Sequence, residues 1–535
     1  MNNKNKLYLK ESVYFEPLFN NWYAWPYLIP PITSARHTTN THRRIMSSFV
    51  NNYQLHLLAK GQSALTGGEF LNCSEAQIED IKKLIAKIDN ELSDVVSLSK
   101  AVKELDELLL SHTSGESVEH LYAQVPEPLK GYVELTMDMY HNAGYRLIEP
   151  LLYNSTYYKP HLQSVSFGSL EKVEERPFVL STPRLPDDNH CQFDIQFANK
   201  DLDTLFACRT TPIYGHEIKE ILEKYNASGG LDWRALFTET PPHRTSTPPT
   251  EGVRLKYTGH AGFLIETPNS AILIDPSIAS PTPDTRDKMV SFAELPEKID
   301  YICLTHNHQD HISLETLLQL RHKTDLVLAP KNNGGSLADP SVKLLLSQLG
   351  FKIMEVEDME LLPFADGSIR AIPFLGEHGD LNIRSKTAWL IESAGQKMFF
   401  GADSSNLDPA MYKHIQNTVG DVDLLAIGME CIGAPYTWLY GALYTQTVSR
   451  KVKESRRLNG ADFEQAVHMI ETFSPKQVYI YALGIEPWYK YFMGLDYDDD
   501  AEQIIQSDKL IKSCDSKDIP CQRLVERNVI TLPTN

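Results

Sequence analysis

The 535-residue chain is too long for one hydrophobic core, so two or more domains are expected. Its 42% apolar and 23% charged content is that of a globular protein, and 70 acidic against 51 basic side chains leave a net charge of −19. A chain this acidic repels phosphate backbones, which argues against nucleic acid as a partner, and no apolar run approaches the ~20 residues of a membrane helix.

In chain order, Met1–Tyr8 is polar and has no signal-peptide core, and seven scattered cysteines form no CxxC pair. Both features predict reduced thiols and a cytoplasmic protein. An aromatic stretch, FEPLFNNWYAWPYLIPP (15–31), reads as core or interface packing. Ser74 and Gln77 form a capping box ahead of apolar residues at Ile78, Ile81, Ile85, Ile88, Leu92, Val95, Val102, Leu105 and Leu108. Their spacing of three and four predicts one long helix, or a hairpin of two, over 75–112. From Val165 to Pro212 the reading is of short β-like runs, such as FVLST (178–182) and CQFDIQF (191–197). A helix, HEIKEILEKY, follows. This half carries no metal-spaced cluster and no phosphate loop, and is expected to be an α+β accessory domain.

Thr238–Gly252, TETPPHRTSTPPTEG, has four prolines, five threonines and no large apolar residue. It is expected to divide the chain into 1–240, a linker at 241–252, and 253–535. Beyond it, LKYTGHAGFLIET, SAILIDPSI and KIDYICLTH read as strands. Next come SLETLLQLR (helix), TDLVLAP (strand), SVKLLLSQLG (helix), four strands (IRAIPFL, KTAWLIES, KMFFGAD and VDLLAIGM), a helix near Asp462–Thr472, and the strand QVYIYAL. Hairpins first and helix–strand alternation later suit a two-sheet αββα sandwich.

The chemistry concentrates at Thr305–His311, THNHQDH, where three imidazoles and a carboxylate follow an apolar strand. His306 and His308, two apart, lean the same way; Asp310 and His311 face a second metal. Imidazole suits Zn, Fe, Cu and Ni, and a carboxylate bridges hard ions. The pattern resembles the HxHxDH motif of the metallo-β-lactamase superfamily, with GHAGFLIET, ILIDP and FFGADSS as flanking pieces over 254–490. That resemblance implies the αββα fold and makes Asp403 the metal-bridging carboxylate, while His260 and Asp275 are expected to be structural or to orient ligands.

Two departures separate this chain from the hydrolases of that superfamily. The stretch between the motif and Asp403 that usually supplies a His reads PFLGEHGDLNI, with Glu377 beside His378; on an extended segment neighbours point apart, so only one is expected to reach the metals. The late strand VYIYALGIEPW has no His, and His414 and His468 fall in predicted helices. WYAWPYLIPP, LTHNHQDH, PFLGEHGDLNIRSKT, IGMECIGA, SRRLNG and YALGIEPW closely resemble the dinuclear iron β-hydroxylases of nonribosomal peptide biosynthesis, of the chloramphenicol-pathway type. The resemblance implies metal ligands His306, His308, Asp310, His311, Glu377 and Asp403, with His378 beside them; Glu430, in GMECIG, sits where a late strand brings a carboxylate near the cluster or serves structure alone. It also implies an O2-dependent diiron monooxygenase that β-hydroxylates an amino acid tethered as a thioester to a carrier protein. Two Fe ions, external electrons from a separate reductase and a homodimer are its expected attributes. The alternatives are a dinuclear Zn hydrolase of thioesters, esters or amides, and a metal-dependent scaffold.

Overall fold

A computed structural model describes residues 5–60, 62, 68–171, 176, 178–243, 247–494 and 497–534. Residues 1–4, at the head of the polar N-terminal stretch, and 244–246 of the Pro/Thr stretch lie outside the described residues.

The first half is built on a five-stranded antiparallel sheet with strands ordered Trp22–Tyr23, Val13–Phe19, Gln163–Ser169, His190–Phe193 and Ala227–Ser228. Asn20 and Asn21, at φ 47° and 69°, make the two-residue turn that pairs Phe19 with Trp22. Asparagine tolerates the left-handed region, which a tight hairpin turn of this kind requires. The aromatic stretch is core: Phe15, Phe19, Trp22, Tyr23 and Tyr27 are buried.

The Ser74–Gln77 capping box forms, and two helices follow, Ile78–Glu91 and Ser93–Ser111. They meet at Leu92 with no loop between them, burying Ile81, Ile88, Val95, Val102 and Leu105. FVLST is not a strand; its residues run as bends. The stretch read as β-like also contains a helix, Lys200–Ala207, capped by Asn199, whose side chain accepts from the Asp201 N–H.

The second half is the expected sandwich. One seven-stranded sheet runs Ile353–Val356, Thr324–Pro330, Ile299–Cys303, Ala271–Ile274, Gly262–Glu266, Val253–Gly259 and Val529–Leu532. The other runs Leu361–Phe364, Gly367–Ile372, Ala388–Ser393, Gln396–Phe400, Leu424–Gly428, Gln477–Tyr481 and Cys521–Arg523. Tyr257, Phe263 and Ile274 from the first sheet and Ile369, Trp389 and Phe400 from the second fill the space between them. Helices Pro409–Val419, Phe463–Phe473 and Glu502–Asp515 cover the outer face of the second sheet.

Helices Leu314–Leu320 and Val342–Gln348 share one continuous hydrophobic core with the first half, so the core does not stop at the Pro/Thr stretch. A buried charge cluster crosses the same boundary. Arg176 meets Glu315 at 2.8 Å and Glu16 at 3.1 Å, and Arg184 meets Glu16 at 2.6 Å.

The strands Ala271–Ile274 through Ile353–Val356 are parallel, as are Gln396–Phe400 through Cys521–Arg523. In parallel sheets the residues just beyond the carboxyl ends of the strands are free to converge on a ligand. Thr305–His311, Asp403, Glu430 and Ala482 all occupy such positions.

Candidate metal centre

Strand Ile299–Cys303 delivers the motif. Leu304 continues the ladder by donating to Leu328 O, and Trp389 Nε1 crosses from the second sheet to donate to Leu304 O at 3.2 Å. The chain then turns, and each motif histidine is held by one ring nitrogen while the other faces a shared space. His306 Nδ1 lies 3.0 Å from Thr305 Oγ1 and its Nε2 lies 3.1 Å from His308 Nδ1. His308 Nε2 lies 2.9 Å from the Tyr440 hydroxyl. His311 Nδ1 lies 2.8 Å from Asp275 Oδ2, and Asp275 Oδ1 also accepts the Thr305 N–H. Such outer partners fix the tautomer and aim the free nitrogen of a ligating imidazole. Asp275, expected to be structural or to orient ligands, contacts His311 on the ring nitrogen that faces away from Asp403.

The carboxylates close the cluster. Asp403 Oδ2 is 2.8 Å from His311 Nε2 and 3.7 Å from His306 Nε2; Glu377 Oε1 is 3.0 Å from His308 Nδ1; Asp310 Oδ2 is 3.0 Å from His260 Nε2. Three sets have donor atoms within 4.8 Å of one another: His306, His308 and Glu377; His306, His311 and Asp403; and His260, Asp310 and His311. His260, expected to be structural or orienting, therefore stands inside a potential donor set as well as beside Asp310.

Electrostatics in this crowd points to cations. Burial, then the charges of Asp403 and Asp310, push Glu377 well above the usual carboxylate range. Burial and the neighbouring His311 and His308 hold His306 well below the usual imidazole range, and burial takes His308 down to about 4. Burial opposes the charged form of His311, but Asp403 and Asp310 outweigh it and raise its pKa well above the usual value. Burial also opposes ionisation of Asp310, yet His311 and His260 hold it well below its usual value. Asp403 Oδ1 is buried without a hydrogen bond. Imidazoles and carboxylates crowded into three overlapping donor sets, with His306 and His308 held below the usual imidazole range, fit two bound metal ions.

The segment at Glu377 departs from the sequence expectation. It is a bend rather than an extended run, with Gly376 at φ 95° and Glu377 at φ 68°, so its neighbours need not point apart. Glu377 reaches His308, while the His378 ring lies 4.6 Å from the His308 ring and its Nδ1 is 2.9 Å from Tyr440 Oη. His378 joins no donor set. Glu430, two residues past its strand, accepts from the Tyr497 hydroxyl at 2.8 Å, and burial pushes its carboxyl up to about 7.

A cavity of about 370 Å³ opens onto His308, Asp310, Glu377 and Asp403 and is otherwise walled largely by apolar residues, including Leu439, Leu458 and Phe492. Ala482, directly after strand Gln477–Tyr481, also lines it. This strand end therefore presents only a methyl group to the cavity.

Several participants carried no sequence signal. Tyr440 comes from a four-residue helix, Thr437–Tyr440, far along the chain from the motif. Glu486 accepts the His260 N–H at 2.8 Å and the Tyr257 hydroxyl, pinning the loop that presents His260. The first half supports the Tyr440 side of the site. Tyr27 packs edge-on to Tyr440 at 5.9 Å, Arg36 donates to Tyr444 O at 2.9 Å, and Asn40 donates to Ala442 O at 2.8 Å.

Comparison with known proteins gives consistent matches. A profile described as a diiron non-heme beta-hydroxylase N-terminal domain matches residues 8–241, and one for the beta-lactamase superfamily domain matches 270–480. A 4-amino-L-phenylalanyl-[CmlP-peptidyl-carrier-protein] 3-hydroxylase from Streptomyces venezuelae is 36% identical over 533 residues, covering 98% of this chain and 99% of that one. The crystal structure of CmlA, a diiron beta-hydroxylase from Streptomyces venezuelae, superposes with a TM-score of 0.91 at 35% identity, covering 99% of this chain and 100% of that one. A UPF0173 metal-dependent hydrolase from Caldivirga maquilingensis is 39% identical over only 71 residues, 13% of this chain and 28% of its own.

Proposed function

This chain belongs to the diiron non-heme β-hydroxylases, and we propose that its substrate is an amino acid held as a thioester on a peptidyl carrier protein of a nonribosomal peptide synthetase, hydroxylated at the β-carbon. The observation that carries this reading is the end-to-end likeness to a carrier-dependent 3-hydroxylase, first half included. The cavity agrees with it: about 370 Å³ of largely apolar space, closed at its floor by carboxylates and imidazoles, suits an amino-acid side chain presented to a metal pair.

In this proposal His306, His308 and Glu377 would hold one iron, Asp310 and His311 would hold the other, and Asp403 would serve both. Bound there, the iron pair supplies the oxidising power to place one atom of O2 into an aliphatic C–H bond, the other leaving as water with two electrons and two protons from outside. The protein's own groups do the rest. Thr305, Asp275 and Tyr440 hold the imidazoles in their working tautomers. Leu439, Leu458 and Phe492 keep water from the reacting carbon. Ala482 leaves room on the cavity side that a late-strand His would fill.

A separate reductase as electron donor, a homodimer and a cytoplasmic location complete the proposal. In its favour, no described helix is long and apolar enough to cross a membrane, and the cysteines stand free of disulfides.

The test is a single turnover of the chemically reduced, iron-loaded protein with O2. Free amino acid, unloaded carrier and aminoacyl-loaded carrier are compared by mass spectrometry. One added oxygen is expected only on the loaded arm. Equal hydroxylation of free amino acid would remove the carrier requirement, and release of the arm without added oxygen would convert the enzyme into a thioesterase.

A further inference from the structure

We propose that the cationic surface formed by the helix Arg450–Ser455 and the residues after it is where the carrier protein docks, its prosthetic arm's phosphodiester held at this rim and its aminoacyl end in the metal cavity. The inference rests on the function proposed above and adds the surface through which the substrate arrives.

Charge first draws attention to the segment. Ser449–Arg457, SRKVKESRR, sets five cations against a single carboxylate, Glu454, in a chain whose net charge is −19. Arg450, Lys451 and Lys453 are exposed. Arg450 pairs with Glu454 at 2.5 Å, whereas Lys451 and Lys453 form no ion pair among the described residues. A local positive field on an acidic protein attracts an anionic partner there.

Position makes the charge meaningful. Arg457 Nε donates to Gly433 O at 2.8 Å, and the Leu458 N–H donates to Ala434 O at 2.9 Å. Gly433, Ala434 and Leu458 all line the cavity that opens onto the metal cluster. The helix therefore sits within a few residues of the cavity wall. Near it two large apolar side chains face solvent: Ile432 is 46% exposed, and Trp438, itself a cavity-lining residue, is 43% exposed. Large apolar side chains flanked by charge are the anatomy of a protein interface.

The occupant follows from the substrate's chemistry. A tethered aminoacyl group cannot diffuse in alone; its carrier must stand at the cavity mouth while the arm threads inward. That arm is joined to the carrier through a phosphodiester, an anion that lysine and arginine side chains match. A mouth with cations on its rim and apolar walls behind them meets both parts of such an arm in the right order.

The experiment compares the full-length, iron-loaded wild type with a Lys451→Glu/Lys453→Glu double variant and with a control, Lys509→Glu/Lys512→Glu, on exposed positions of the helix Glu502–Asp515. The probe is a phosphopantetheinylated carrier domain loaded with an amino acid that the wild type hydroxylates. The first double variant is expected to bind it about tenfold more weakly, with a correspondingly higher KM, unchanged kcat at saturation and a shallower salt dependence. Its iron content and circular dichroism should match wild type, and the control should bind normally. Unchanged affinity and salt dependence would overturn the docking surface while leaving the function standing. So would a fall in kcat alone, an equal loss in the control, or a change only in oligomeric state. Failure of the wild type on every loaded carrier would instead bring down the function, and this surface with it.

Discussion

Glu377 sits at φ 68°, in a backbone region that non-glycine residues seldom adopt, and it has company: His260 at 50°, Asp275 at 36°, Ala402 at 49° and Ala482 at 56°. All five line or adjoin the cluster. Strained backbone persists where the surroundings over-determine it, and here it aims donors from separate segments at one small volume. Glu377 and His378 separate the roles of neighbours. Glu377→Ala removes a carboxylate from a donor set and should abolish hydroxylation. His378→Ala removes only a ring hydrogen-bonded to Tyr440 and should cost about tenfold, the scale of outer-partner losses. Mössbauer spectra should change strongly for the first variant and slightly for the second; the reverse order would exchange their roles. The motif residues were legible because six consecutive positions past a buried strand carry them. Asp403 and Glu377 needed the family resemblance, since a single carboxylate after a strand or in a loop has many explanations. Tyr440, Glu486 and Tyr497 were illegible, because what makes them matter is contact with residues far away in sequence.

At the scale of elements, the strands feeding the site were legible from their apolar runs, and the helices Ile78–Glu91 and Ser93–Ser111 from the capping box and three-four spacing. What escaped includes two long helices, Arg43–Lys60 and Glu502–Asp515, and elements that are short or dependent on packing. Lys200–Ala207 spans only eight residues, too few to display a period beside β-like neighbours. The edge strands Cys521–Arg523 and Val529–Leu532 have mixed polarity and become strands by pairing with Gln477–Tyr481 and Val253–Gly259. The contact between halves was equally hidden, and Glu149 reports on it. This buried carboxylate at the start of helix Glu149–Tyr153 accepts the Ser341 N–H at 2.9 Å and Asn332 Nδ2 at 3.0 Å, and burial pushes its pKa up to about 7. A carboxyl that binds its proton more tightly when folded contributes stability below its unfolded pKa and loses it as pH rises through the folded one. From pH ~5 to ~8 the wild type should therefore lose stability on the order of 3 kcal/mol relative to Glu149→Gln. Melting curves of the pair should diverge over that window; parallel curves would mean that the carboxylate is well solvated.

For the molecule as a whole, the metal site and the shared core make different demands on stability. The hydrophobic core runs from the first half into the helices Leu314–Leu320 and Val342–Gln348, so both halves are expected to unfold in one cooperative transition. The cluster joins the two sheets: the motif follows a strand of the first, and Asp403 follows a strand of the second. Without cations, Asp310, Glu377 and Asp403 crowd one another, and burial with the charges of Asp403 and Asp310 pushes Glu377 well above the usual carboxylate range. Bound iron relieves that crowding, and a ligand that binds only the folded state at about a hundredfold excess over its Kd adds about 2.7 kcal/mol. Chelated protein should therefore melt several degrees below the iron-loaded form. The gap should narrow as pH falls, because the imidazoles and carboxylates must be deprotonated to bind. Asp403→Ala should keep its circular dichroism, lose most of its iron by elemental analysis, and melt like the chelated protein whether or not iron is supplied. Two metals per chain retained in that variant would remove Asp403 from the bridge. Two separate calorimetric transitions in the wild type would mean that the continuous core does not couple the halves, and the cavity wall that the first half supports through Tyr27, Arg36 and Asn40 would then open independently of the cluster it encloses.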